Sequence, residues 1–218
     1  MHLLVTALAP ARRAVLLRRI RLIVAVTIGY NLVEAVVALS AGAAASSTAL
    51  IGFGLDSGIE VLSAAAVAWQ FSRRDPERYE RGTLRVIAVA FFALAAYVAV
   101  SSILSLVAGS EPAVSPLGLA ITALSVVVMP FLSLAERRAG RELGSATAVA
   151  DSKQTLVCTW LSAAVLIGLA LNGLLGWWWA DAVAGLVIVV FALREGIEAW
   201  RGDACATSVG MLLEEEGR

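Results

Sequence analysis

The stretch Ala49-Leu-Ile-Gly-Phe-Gly-Leu-Asp-Ser-Gly-Ile-Glu-Val-Leu-Ser-Ala-Ala-Ala-Val-Ala-Trp69 decides how the whole chain is read. About 20 apolar residues in a helix cover a hydrocarbon core about 30 Å thick. This run is long enough, yet Asp56 and Glu60 stand in its middle. Spaced as i and i+4, the two acids share one helix face, with roughly 5–6 Å between their Cβ atoms. An ionised side chain at membrane depth costs about 2.5–3.5 kcal/mol on insertion scales and persists mainly where it lines a pathway or meets a partner. Two carboxylates so placed can grip one divalent cation. The plainer alternative is a pair of protonated, hydrogen-bonded acids holding helices together, a task that Ser or Asn performs at lower cost.

The surroundings fit a membrane setting. Hydrophobic residues make up 60% of the chain and charged ones 16%, and the mean hydropathy is +0.85. That composition excludes a disordered chain and an ordinary soluble domain. The formal net charge is zero, but the arginines are clustered. Arg12, Arg13, Arg18, Arg19 and Arg21 precede the first apolar run, Arg73, Arg74, Arg78, Arg81 and Arg85 follow the second, Arg137, Arg138 and Arg141 follow the fourth, and Arg194, Arg201 and Arg218 close the chain. The alternate turns, residues 43–48, 109–115 and 172–176, hold neither Lys nor Arg. The positive-inside rule then puts both termini in the cytoplasm.

The predicted fold is therefore all-α, a polytopic bundle of six transmembrane helices. It comprises a basic interfacial N-terminus over residues 1–21, the six-helix domain over 22–200 and a short cytoplasmic tail over 201–218. Topology and anionic headgroups already explain the arginines, so the lipid bilayer is the expected partner and nucleic acid is not. Cys158 falls inside a span and Cys205 in the tail, which argues for free thiols rather than a disulfide. The sole histidine, His2, is terminal and reads as a bystander. No basic residue precedes the short apolar run of the first nine residues, so a cleaved signal peptide is not expected.

Along the chain, the first span (residues 22–39) carries Thr27, Tyr30, Asn31 and Glu34 as a polar stripe at helical spacing. Glu34 lies 13 residues after Arg21 and Glu60 lies 13 before Arg73. At 1.5 Å per residue both sit roughly 20 Å from an arginine anchor, at a shared depth. Gly54 and Gly58 suggest close helix approach. Residues 72–85 mix both charges and read as a solvated linker. The third and fourth spans (86–107 and 114–134) are uncharged in their apolar parts and are assigned to packing, with a kink expected at Pro130. The fifth span (146–171) is polar again, and Asp151, Gln154 or Thr155, Cys158 and Ser162 fall on one stripe. Trp177, Trp178 and Trp179 form an aromatic belt before the sixth span, followed by Asp181.

The candidate metal ligands are Asp56, Glu60, Gln154 and Cys158, with Asn31, Glu34 and Asp151 as accessory groups. Carboxylate, amide oxygen and thiolate together suit a borderline cation such as Zn²⁺, without excluding Mn²⁺, Fe²⁺, Co²⁺ or Cd²⁺. Buried carboxylates near one another resist ionising, so protons compete with the cation for the same oxygens. That competition is the physical basis of proton-for-metal exchange across two alternating faces. The cation is cargo, and no tightly bound cofactor is expected.

These residues resemble the cation diffusion facilitator (cation efflux) family, secondary transporters that export divalent metals, usually Zn²⁺, in exchange for protons. Residues 31–42, Ser47-Thr-Ala-Leu50 and Phe53-Gly-Leu-Asp-Ser-Gly-Ile-Glu60 are similar to the family's first two spans. Ala150-Asp-Ser-Lys-Gln-Thr-Leu-Val-Cys158 is similar to its fifth, and Trp179-Ala-Asp-Ala182 to the start of its sixth. The resemblance implies that Asp56 and Glu60 supply half of a metal site. Where the family's fifth span offers histidine and aspartate, this sequence has Gln154 and Cys158.

The family's cytoplasmic C-terminal domain is missing from the sequence, as in a short, zinc-associated branch, which implies a homodimer formed through membrane helices. The implied location is the bacterial cytoplasmic membrane. Two alternatives stand beside transport: a metal-binding or regulatory membrane protein of the same fold that does not transport, and an intramembrane aspartyl protease. The second rests on Gly52-Phe-Gly-Leu-Asp56, which has one residue too many before the acid to match Gly-x-Gly-Asp. Enzymatic activity is accordingly not expected.

Overall fold

The computed structural model describes residues 10–71, 76–143 and 146–202. The chain folds as six helices in order: α1 (Pro10–Ala45), α2 (Thr48–Phe71), α3 (Pro76–Ala108), α4 (Pro116–Leu143), α5 (Ala146–Leu175) and α6 (Trp179–Arg201). There is no strand among the described residues.

The helices outrun the apolar segments that announced them. The basic lead-in is continuous with the first span as one helix of 36 residues. Most of the expected linker at 72–85 is also helical, because α3 starts at Pro76, a first-turn position where proline's missing N–H costs nothing. Likewise α4 carries Arg137, Arg138 and Arg141 on its last turns and runs unbroken through Pro130. Arg and Glu are good helix formers, so polarity marks where a span meets water and not where the helix stops. At the opposite end, the expected turn over residues 43–48 shrinks to Ser46 and Ser47, with Ser46 at a φ of 54°.

Five of the six helices, α1 to α5, are long and apolar enough to cross a membrane. The exception is α6, which places Asp181 in its first turn and Arg194, Glu195, Glu198 and Arg201 in its last two. At 23 residues and 1.5 Å per residue it is nonetheless long enough to reach from one end of the bundle to the other. It packs extensively along α3 and also meets α5 and α2.

Helices α1 and α2, α4 and α5, and α3 and α6 form the closest pairs, and α2 touches α1, α3, α5 and α6. The main core accordingly gathers Leu50 and Phe53 of α2, Phe91 and Val98 of α3, Val165 of α5 and Ile188 of α6. Close approach of α1 and α2 depends on glycine. A Cβ added at Gly54 would sit 2.9 Å from the backbone nitrogen of Leu39, whereas one at Gly58 would meet nothing within 4 Å. Of the expected glycine pair, only Gly54 lies at a contact.

The helix ends sort into two sets. At the arginine-rich end Arg12 pairs with Glu142 at 2.6 Å, and the Arg85 guanidinium lies 5.7 Å from the ring centre of Trp200. At the other end the Ala113 N–H donates to the Ala45 carbonyl at 2.9 Å, and Asn172 Nδ2 donates to the Pro112 carbonyl at 2.8 Å. Successive helices therefore alternate in direction, and both ends of the described chain lie at the arginine-rich end.

Candidate metal centre

Three helices meet at Glu60. Asn31 of α1 donates through Nδ2 to Glu60 Oε2, and the Cys158 thiol of α5 donates to Glu60 Oε1. Asn31 is 4% exposed and Cys158 6%, while Glu60 between them keeps partial exposure. On α5 the expected stripe is an inward face: Thr155, Cys158 and Ser162 are all buried, and Ser162 Oγ donates to the Cys158 carbonyl at 2.7 Å. One turn before Glu60 on the same face of α2, Asp56 is also buried, and its carboxylate makes no hydrogen bond among the described residues. The carboxylates of Glu195 and Glu34 are within electrostatic reach of it. Asp56 is thus enclosed, while Glu60, partly exposed, turns both carboxylate oxygens toward Asn31 and Cys158.

Glu34 stands in a different set of contacts. Ser57 Oγ of α2 donates to its Oε2 at 2.6 Å, Ser125 Oγ of α4 donates to Oε1, and Tyr30 shares a 2.6 Å hydrogen bond with Ser125. This network stitches α1, α2 and α4 together. Of the expected accessory residues, Asn31 thus joins Glu60 and Cys158, while both Glu34 oxygens are occupied by serine hydroxyls. The side chains of Gln154 and Asp151 lie outside the described residues, as does Cys205.

Two features escaped the sequence reading. Ser125 was assigned to packing, although Thr122, Ser125, Met129 and Ser133 form a buried stripe on α4 whose polar spacing was available to be read. Asp181 is the second, at 1% exposed. Its Oδ1 accepts from Ser47 Oγ, and its Oδ2 accepts from the backbone N–H groups of Thr48 at 2.9 Å and Ala49 at 3.3 Å. An acid of α6 thereby caps the N-terminus of α2, satisfying donors that a helix cannot pair internally. Ser47-Thr48 signals a cap in sequence, but nothing local points to a partner 134 residues away.

Among the described residues no three His, Cys, Asp or Glu side chains are grouped as a metal cage. The junction offers instead one carboxylate that accepts from one thiol and one amide. The thiolate is the form of cysteine that ligates, so a cation bound there must displace the proton that Cys158 now shares with Glu60.

A bundle of helices with buried acids at a junction of three of them defines a polytopic membrane protein with an intramembrane polar centre. Residues 22–201 match the cation efflux transmembrane domain, and the chain belongs to that family. It is similar to the cation-efflux pump FieF of Shewanella oneidensis, at 29% identity over 186 residues. That alignment covers 82% of this chain and 60% of the relative, so the chain matches only part of that protein's length.

Proposed function

We propose that the protein is a secondary transporter that moves divalent metal cations, Zn²⁺ foremost, out of the cytoplasm in exchange for protons. The observation that carries this reading is the junction itself: Glu60, one turn from Asp56, sits inside the bundle between Asn31 of α1 and the Cys158 thiol of α5. The ligands are Asp56, Glu60 and Cys158, with Gln154 from the same face of α5. Family membership and the likeness to a cation-efflux pump support the same direction.

Exchange follows from the chemistry of these donors. Thiolate and carboxylate bind a cation only when deprotonated, so loading the metal expels protons and reprotonation expels the metal. Rocking of the bundle between two faces turns that competition into antiport. The setting is a bacterial cytoplasmic membrane, with two copies joined through their helices. No catalytic step and no resident cofactor enter this reading.

The test is flux of Zn²⁺ into proteoliposomes under an imposed proton gradient. Wild type is expected to transport, and Asp56→Ala and Glu60→Ala are expected to abolish it; undiminished flux in both variants removes the site from contention. Gln154 and Cys158, standing where the family's fifth span offers histidine and aspartate, favour one second reading, a protein that binds metal without moving it. Zn²⁺ binding by the purified chain with no flux in the same vesicles would select it.

A further inference from the structure

Asn31 uses one end of its amide and leaves the other open. It is 4% exposed, its Nδ2 is committed to Glu60, and its Oδ1 is buried with no hydrogen-bond partner among the described residues. Buried carbonyl oxygens are nearly always paired, and one left open beside a set of metal-binding groups calls for an explanation. An Asn amide carries two donors on nitrogen and two acceptor lone pairs on oxygen. With the nitrogen held by Glu60, the carbonyl oxygen is fixed in orientation and available to a cation.

Resting on the transporter reading above, we propose that Asn31 Oδ1 is a ligand of the transported cation, so that the site is built from α1 as well as α2 and α5. The Asn31 carbonyl thereby joins the Asp56 and Glu60 carboxylates and the Cys158 thiolate as a donor. Acids and thiols alone do not close the cage, because one corner is a neutral oxygen. The set also defines the substrate class. Thiolate selects borderline and soft ions, and a neutral amide oxygen adds a donor without adding charge that would favour hard ones. Zn²⁺, Co²⁺ and Cd²⁺ belong to the class; Mg²⁺ and Ca²⁺, which demand all-oxygen sites, do not.

Co²⁺ titration of the purified full chain in detergent, followed by visible absorption, tests the assignment. Wild type should show a thiolate-to-cobalt charge-transfer band with a ligand-field spectrum of low coordination number, and excess Mg²⁺ should not displace the Co²⁺. Asn31→Leu should retain the charge-transfer band, change the ligand-field spectrum as water replaces the amide oxygen, and bind at least about tenfold more weakly. Asn31→Asp, nearly identical in shape, should keep affinity within about tenfold while still changing the ligand-field spectrum, and it decides the matter should the leucine variant fail to fold. Spectra unchanged in both variants overturn the proposal, and so does weaker binding with an unaltered ligand-field spectrum, which marks Asn31 as a hydrogen-bond partner only. Wild type that binds Co²⁺ with no sulfur band overturns the Cys158 site itself, a failure visible before any variant is made.

Discussion

Asp181 shows how one side chain's position in sequence can mislead about the helix it serves. An acid in the first turn of α6 suits that helix's own N-terminal dipole, yet both of its oxygens are spent on Ser47, Thr48 and Ala49 at the start of α2. Since α2 carries Asp56 and Glu60, this contact sets the axial position of the proposed ligands. Asp181→Ala leaves two buried N–H groups without an acceptor, at a cost of about 1–3 kcal/mol. Thermal unfolding in detergent should therefore show a clear drop in Tm. Asp181→Asn keeps one acceptor oxygen and should lose less; equal losses in the two variants would mean that the hydrogen bonds are not what matters.

At the scale of helices, existence and order were legible and ends were not. Apolar runs of sufficient length, separated alternately by arginine clusters and by uncharged turns, were enough to give six helices of alternating direction. Polarity then misplaced their limits, turning residues 76–85 into a linker when they are the first turns of α3. The sixth helix was legible too, running from Asp181 beside the start of α2 to Trp200 at the arginine-rich end. The glycines of α2 were read as a pair, but spacing alone does not say which of them faces another backbone. The structure separates them sharply. Gly54→Val should force α1 and α2 apart, given an added Cβ only 2.9 Å from the Leu39 nitrogen, and reduce both folded yield and Tm. Gly58→Ala meets open space and should raise Tm slightly, since Ala is favoured over Gly in a helix by about 1 kcal/mol. Similar behaviour of the two variants would contradict the described packing of α1 on α2.

For the whole molecule, the site was half visible in advance. The i, i+4 acids marked one face of α2, and equal distance from the arginine clusters brought Glu34 and Glu60 to the same level. Depth says nothing about rotation around a helix axis. Glu34 and Asn31 share a level and most of a face, yet one closes with Ser57 and Ser125 and the other with Glu60. Only the assembled bundle distinguishes them. The same assembly predicts the sign of the pH dependence. The Cys158 thiol proton lies on Glu60 contact, and a bound cation must displace it. Affinity should therefore rise with pH, because fewer protons compete for the donors. Calorimetric titration of Zn²⁺ in buffers of different ionisation enthalpy should report about one or more protons released per cation near neutral pH; none released would contradict coupling at this site.

The most direct measurement is an anomalous difference map at the zinc edge from crystals of the Zn²⁺-loaded protein. A peak within bonding distance of Glu60 and the Cys158 sulfur, at the meeting point of α1, α2 and α5, is the predicted result. A strong peak elsewhere in the bundle, with Glu60 still hydrogen-bonded to Asn31 and Cys158, would contradict it.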